Sequence, residues 1–237
     1  MTITSSDNAK LKEIRKINQG RRTRASAGRF FAEGEDLLRA ADAAGWMPVD
    51  RLAATGSGLP GIEVDPGLLA QASGLGSGTR TLAVYAERWA PEPRGPLCVY
   101  LHGVKDPGNV GTILRSAQAF QASSVAVGPG TADPFGPKAV RASMGAVFSV
   151  PVARATADPA SLPGTTVALV AGHGAVLGSD MFDDGVTLMI GSERDGLPEE
   201  LVEAADQIAQ IPIASHSLNA AMAATVALYE VSRMARG

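Results

Sequence analysis

One cysteine, three histidines and few aromatic residues set the first limits on this 237-residue chain. A lone thiol, Cys98, excludes an intramolecular disulfide. Its place inside the apolar run Leu97-Cys98-Val99-Tyr100-Leu101 reads as a small buried side chain, not a reactive one. His102, His173 and His216 stand apart from one another, so no metal-ligand spacing arises and no metal is expected. Neither a P-loop nor a Gly-x-Ser-x-Gly elbow occurs. No apolar run approaches the roughly 20 residues of a bilayer helix. The opening Met1-Thr2-Ile3-Thr4-Ser5-Ser6-Asp7 lacks the basic and apolar regions of a signal peptide. A cytoplasmic protein with no membrane partner is therefore expected. Disorder is excluded too, because 45% hydrophobic and 19% charged residues with a net charge of −3 can support a core.

The small net charge hides an asymmetry. Residues 10–29 hold Lys10, Lys12, Arg15, Lys16, Arg21, Arg22, Arg24 and Arg29 against Glu13 alone, a local charge of about +7 on an acidic remainder. A basic arm on an acidic body suits a polyanion partner. Leu11, Ile14 and Ile17 recur at helical spacing, so 8–19 reads as an amphipathic basic helix. Gly20, Ser26 and Gly28 interrupt the pattern beyond it, and 21–29 reads as a flexible loop able to track phosphates. With few aromatics beside it, the arm suits backbone contact better than base stacking.

Strands are expected at 29–32, 49–54, 62–64 and 79–86, with helices at 34–44 and 67–72, giving a small α/β module. Pro91, Pro93 and Pro96 mark a linker, which places a first domain at 1–90, a connector at 91–96 and a second domain at 97–237. In the second domain, strands at 97–104, 124–127, 165–171, 186–190 and 207–213 alternate with helices at 110–121, after Pro198, and at 217–236. Apolar strands with helices between them imply a parallel α/β sheet, which binds ligands at the carboxyl ends of its strands. The loops after Val104, Ala171, Ile190 and Ile213 are therefore the candidates. Gly172-His173-Gly174-Ala175-Val176-Leu177-Gly178 misses the dinucleotide fingerprint by one residue, although its glycines still allow a ligand close to the backbone. The Ser179-Asp180-Met181-Phe182 stretch after it reads as irregular chain.

Three segments carry chemistry together. Asp106-Pro107-Gly108-Asn109 leads from a strand into a helix that begins near Asn109 and bears Arg115. Gly191-Ser192-Glu193-Arg194-Asp195-Gly196 is a glycine-bracketed acidic turn. Ile211-Pro212-Ile213-Ala214-Ser215-His216-Ser217-Leu218-Asn219 is a strand, a tight loop and a helix capped by Ser217.

In order and spacing these segments resemble the three motifs of the SpoU/TrmH family of RNA ribose 2'-O-methyltransferases, of the SPOUT class. The segment 133–148, with Lys138 and Arg141, is similar to the stretch between the family's motifs. The first domain resembles, more weakly, the ribosomal-protein-like substrate domain of many members. The resemblance implies a knotted α/β domain with a trefoil knot, S-adenosylmethionine in the C-terminal knot loops, and a homodimer. Carried over by position, Gly172, Gly191, Ile211 and Leu218 match cofactor-binding positions. Asn109, Arg115, Glu193, Ser217 and Asn219 match the polar active-site set. RNA contacts are expected from Lys10, Arg21, Arg22, Arg24, Lys138 and Arg141. The loop 214–216 is about two residues shorter than the family's. The implied activity is methyl transfer to a ribose 2'-hydroxyl of structured RNA, ribosomal ahead of transfer RNA. The alternatives are a noncatalytic RNA-binding protein on the same fold and a base-nitrogen methyltransferase.

Overall fold

The computed structural model describes residues 2–74, 78–178, 181 and 185–234. The expectations for Ser179, Asp180, Phe182 and Arg236 lie outside these residues. Asn8 accepts a hydrogen bond from the Lys10 amide and starts α1 (Ala9–Asn18), which buries Leu11, Ile14 and Ile17 as their spacing requires. Then come α2 (Arg21–Ala27), β1 (Arg29–Glu33), α3 (Glu35–Ala43), β2 (Asp50–Ala54), β3 (Ile62–Val64), α4 (Pro66–Ser73) and β4 (Thr81–Ala86). Among the described residues they build a sheet of order β1-β4-β2-β3.

The chain continues through β5 (Leu97–Leu101), α5 (Pro107–Ala119), β6 (Ser124–Val127), α6 (Pro137–Ala142), β7 (Val152–Arg154), β8 (Thr165–Leu169), β9 (Ala175–Val176), β10 (Val186–Ile190), α7 (Glu199–Glu203), β11 (Gln207–Gln210) and α8 (Ala220–Met234). These strands form a second sheet of order β7-β6-β5-β10-β8-β11-β9, in which every pairing is parallel. From β5 the strands run outward through β6 to β7. The chain then crosses back to lay β8, β10 and β11 on the other side. The order reverses beside β5 and β10, the position where sheets of this kind open a crevice.

Period-two alternation decides which side of each strand meets which layer. On β1, Phe31 joins Leu11, Ile14, Ile17 and Leu69 under α1 and α4. Phe30 and Ala32 face the other way, into a core that also holds Val99, Ile113, Phe135 and Phe148. The two sheets thus share one continuous apolar cluster. Its junction is aromatic: Phe30 lies 4.9 Å from Phe135, Trp46 lies 5.2 Å from Phe148, and the Trp46 indole donates to the Phe148 carbonyl at 2.8 Å. On the far side of the large sheet, Cys98 and Tyr100 pack with Leu197 and Leu201 of the α7 region.

Several expectations need correction. The segment after Gly20 is helix α2, not a flexible loop, because Arg24 at its centre is drawn inside and fixes it. The helix bearing Arg115 begins at Pro107, where the Asp106 side chain accepts from the Gly108 amide and proline suits the first turn. Asn109 is therefore inside that turn. β5, β8 and β11 end at Leu101, Leu169 and Gln210, short of the expected bounds. α8 starts at Ala220, and its cap is Asn219, whose side-chain oxygen accepts from the amides of Ala221 (2.9 Å) and Met222 (3.3 Å); Ser217 lies outside the helix. The proline-rich stretch is pinned: Ala90 pairs with Ala153, Arg94 exchanges two hydrogen bonds with Ser124, and Trp89 packs at 5.1 Å on Phe135.

Candidate active site

Four loops meet at the carboxyl ends of the central strands: 105–109 after β5, 191–196 after β10, 170–172 after β8 and 211–219 after β11. The last three line one cleft with Leu169, Val170, Ile190, Gly191, Ile211 and Leu218 among its walls and Glu193, Arg194 and Ser217 at its polar side. Gly191 is dictated by packing, since a Cβ there would overlap the backbone of Gly196 and Leu197 where the turn closes on itself. The Ser192 and Gly196 amides and carbonyls bond reciprocally across that turn. What results is an apolar slot edged by backbone polar groups, suited to a flat heteroaromatic ligand. Gly172 stands one residue beyond Ala171 of the lining, in an exposed turn with φ of 68°.

Beside the cleft, side chains from three motifs join in one hydrogen-bonded chain. Asn219, while capping α8 with its oxygen, donates through Nδ2 to Asn109 Oδ1 at 3.1 Å. Asn109 Nδ2 donates to Glu193 Oε1 at 2.8 Å. Glu193 also accepts from the backbone amides of Lys105 (3.3 Å) and Asp106 (3.4 Å). Partial burial alone would raise the Glu193 pKa, but the Asn109 amide and the backbone donors outweigh it and hold the carboxyl below its ordinary value. Glu193 is therefore an ionised acceptor at neutral pH and not a proton donor.

Arg115 does not enter this chain. It stands exposed on α5 and carries no ion pair among the described residues. Ser217 lines the cleft, but its side chain takes no part in the network. Of the residues expected to meet RNA, Arg21, Arg22 and Arg141 are exposed. Lys10 is ion-paired with Asp50, and Lys138 with Asp106 at 2.9 Å. Arg24 must be reassigned: it is 5% exposed and bound to Asp133, so it cannot reach a phosphate.

Three contributors escaped the sequence reading. The amides of Lys105 and Asp106 hold Glu193, and Arg194 lines the cleft. Asp106-Pro107 was the available signal for the first pair, since an Asp before a Pro marks a helix start and so places these amides at the site.

The sequence profile of the SpoU rRNA Methylase family matches residues 96–229, which holds both the cleft and the hydrogen-bonded chain. A 23S rRNA (uridine(2479)-2'-O)-methyltransferase of Streptomyces viridochromogenes is 38% identical over 143 residues, 54% of this chain and 49% of its own length. The chain thus spans about half of that relative. The 23S rRNA (guanosine(2553)-2'-O)-methyltransferase RlmP of Bacillus subtilis is 26% identical and is matched over 97% of this chain and 98% of its own. A crystal structure of an AdoMet-bound rRNA methyltransferase from Sinorhizobium meliloti superposes with a TM-score of 0.87 at 32% identity, covering 98% of this chain and 97% of that one. With the motifs in order, their side chains in contact and the profile covering more than half of the chain, this protein belongs to the SpoU rRNA Methylase family.

Proposed function

We propose that the chain transfers a methyl group from S-adenosylmethionine to a ribose 2'-hydroxyl of structured RNA, with ribosomal RNA ahead of transfer RNA. The observation that carries the reading is the Asn219–Asn109–Glu193 chain at the edge of the cleft, which unites three separate motifs in one polar site. The slot walled by Ile211 and Leu218 and closed by Gly191 fits the adenosine part of the cofactor, with Gly172 nearby. When bound, S-adenosylmethionine supplies a methyl group on a sulfonium centre, open to in-line attack by an oxygen. Asn109 and Glu193 orient the ribose. Arg115, exposed and without an ion pair among the described residues, binds the adjacent phosphate and steadies charge developing on the attacking oxygen; the hydroxyl proton passes to water, since a guanidinium is too weak an acid to be available as the base. Ser217 and Asn219 complete the polar set.

Residues 1–90 serve RNA binding in this reading, 91–96 connect, and 97–237 hold the methyltransferase with its trefoil knot. The chain works as a cytoplasmic homodimer. Met222, Val226 and Tyr229 stand 62%, 42% and 53% exposed along one side of α8, an apolar stripe suited to a second copy. No helix among the described residues is long and apolar enough to cross a membrane.

The test is transfer of labelled methyl from S-adenosylmethionine to ribosomal and transfer RNA, followed by mapping of ribose methylation. Label on a 2'-oxygen, lost in Arg115→Ala with cofactor affinity kept within a few-fold, is the expected result. RNA binding without transfer would leave the noncatalytic alternative, and label on a base would overturn the ribose assignment.

A further inference from the structure

We propose that the buried ion pair between Arg24 and Asp133 registers the cations of α2 with the methyl-transfer site, which makes Arg24 a positioning residue for the RNA. The proposal rests on the chain's being an RNA ribose methyltransferase. Arg24 Nε and Nη2 reach the same Asp133 oxygen at 2.9 and 2.8 Å, while Nη1 donates to the Ile17 carbonyl at 2.9 Å. The guanidinium therefore ties the last turn of α1 and all of α2 to the turn at 133–136. Asp133 is fixed in its own right, accepting from the Phe135 amide through its other oxygen at 3.0 Å. Just upstream, Arg21 donates to the Thr131 carbonyl at 3.0 Å.

That turn opens α6, and α6 lies so close on α5 that a Cβ on Gly111 would overlap the Ala139 carbonyl. Lys138 of α6 reaches Asp106, whose amide donates to Glu193. Packed contacts thus run from α2 through the 133–136 turn and α6 to α5, whose cap Asp106 donates its amide to Glu193. The result at the surface is that Arg22 on α2 and Arg141 on α6, exposed residues more than a hundred positions apart in sequence, sit on elements that this pair ties together. RNA phosphates recur at regular intervals, so cations at fixed spacing select where along the strand the ribose enters the site.

Energetics favour a geometric role. Burying two opposite charges loses about as much hydration as the attraction returns, so the pair adds little net stability over an apolar replacement, while its fork fixes where both groups sit. Both side chains are at most 10% exposed.

The experiment measures methyl transfer to ribosomal RNA transcribed in vitro, with cofactor and RNA affinities determined separately, for wild type, Arg24→Gln, Arg24→Lys and Asp133→Asn. Arg24→Gln and Asp133→Asn are expected to keep cofactor affinity within twofold and RNA affinity within threefold. Their maximal rate at saturating RNA should fall at least tenfold, with label spreading to additional riboses. Arg24→Lys, which keeps the charge but not the fork, should fall between. Arg22→Ala should act differently, by weakening RNA affinity. A folded Arg24→Gln with wild-type rate and a single labelled ribose would overturn the proposal, as would a loss confined to RNA affinity. Failure of both Arg24→Gln and Asp133→Asn to fold would also overturn it, since the pair would then be needed for folding itself. A wild-type chain that transfers no methyl group fails the functional reading and takes this proposal with it.

Discussion

Asn219 holds two jobs in one side chain, since its oxygen caps α8 while its nitrogen reaches Asn109. The two can be separated. Asn219→Ala is expected to lose both, about 1 kcal/mol of stability from the cap together with methyl transfer. Asn219→Asp keeps a good cap but turns an acceptor toward Asn109 Oδ1, so its melting temperature should stay near wild type while transfer falls at least tenfold; calorimetry and a rate assay on the same samples check this. The acids behave as a set. Glu193, Asp106 and Asp206 all have pKa values held below normal: Glu193 by the Asn109 amide and the backbone donors, Asp106 first by Lys138 and then the Gly108 amide, and Asp206 by the Thr166 amide and hydroxyl. A carboxyl with a lowered folded pKa stabilises the fold above its unfolded value and ceases to do so as pH falls through the folded one. The melting temperature should therefore decline gently as pH falls below 6.5, the ordinary value of His102, whose pKa burial lowers, and drop further below 4.5 and 3.8, the last step more shallowly in Asp206→Asn.

Among the elements, α5 is the one on which the site depends. It carries Asn109 at its first turn, touches α8 through a Ser116–Thr225 hydrogen bond of 2.6 Å, and meets α6 at Gly111 with no room for a methyl group. Gly111→Ala should push α5 from α6, lowering stability by about 1–3 kcal/mol and slowing transfer through displacement of Asn109; urea unfolding and the rate assay report each part. Much of this level was legible in the chain. The spacing of Leu11, Ile14 and Ile17 predicts α1, and the apolar runs predict β5, β6, β8 and β10 to within a few residues. The short elements β7, β9 and α6 carry too few residues for a period to show. Helix α2 was hidden for a different reason: its glycines flank it, and what fixes it is a carboxylate more than a hundred residues away. The site residues were legible as motifs, while their union in one hydrogen-bonded chain required the strand order to bring three loops to one end of the sheet.

At the scale of the molecule, the two sheets share a core in which Phe30, Trp46 and Tyr85 from the first meet Phe135 and Phe148 from the second. They are expected to unfold together, in a single transition seen alike by tryptophan fluorescence and by far-ultraviolet circular dichroism. Trp46→Ala should lower that transition by about 3–5 kcal/mol. Two separated transitions would show the sheets to be independent. The large sheet also has a history in time as well as a shape. β8 and β9 flank a gap that only Gln207–Gln210 can fill, so while the chain emerges residue by residue, two strands wait apart for the one that joins them. The cleft shares that schedule, because Ile211 and Leu218 directly follow the joining strand. The cleft therefore cannot take its shape before Gln207–Gln210 has joined β8 to β9.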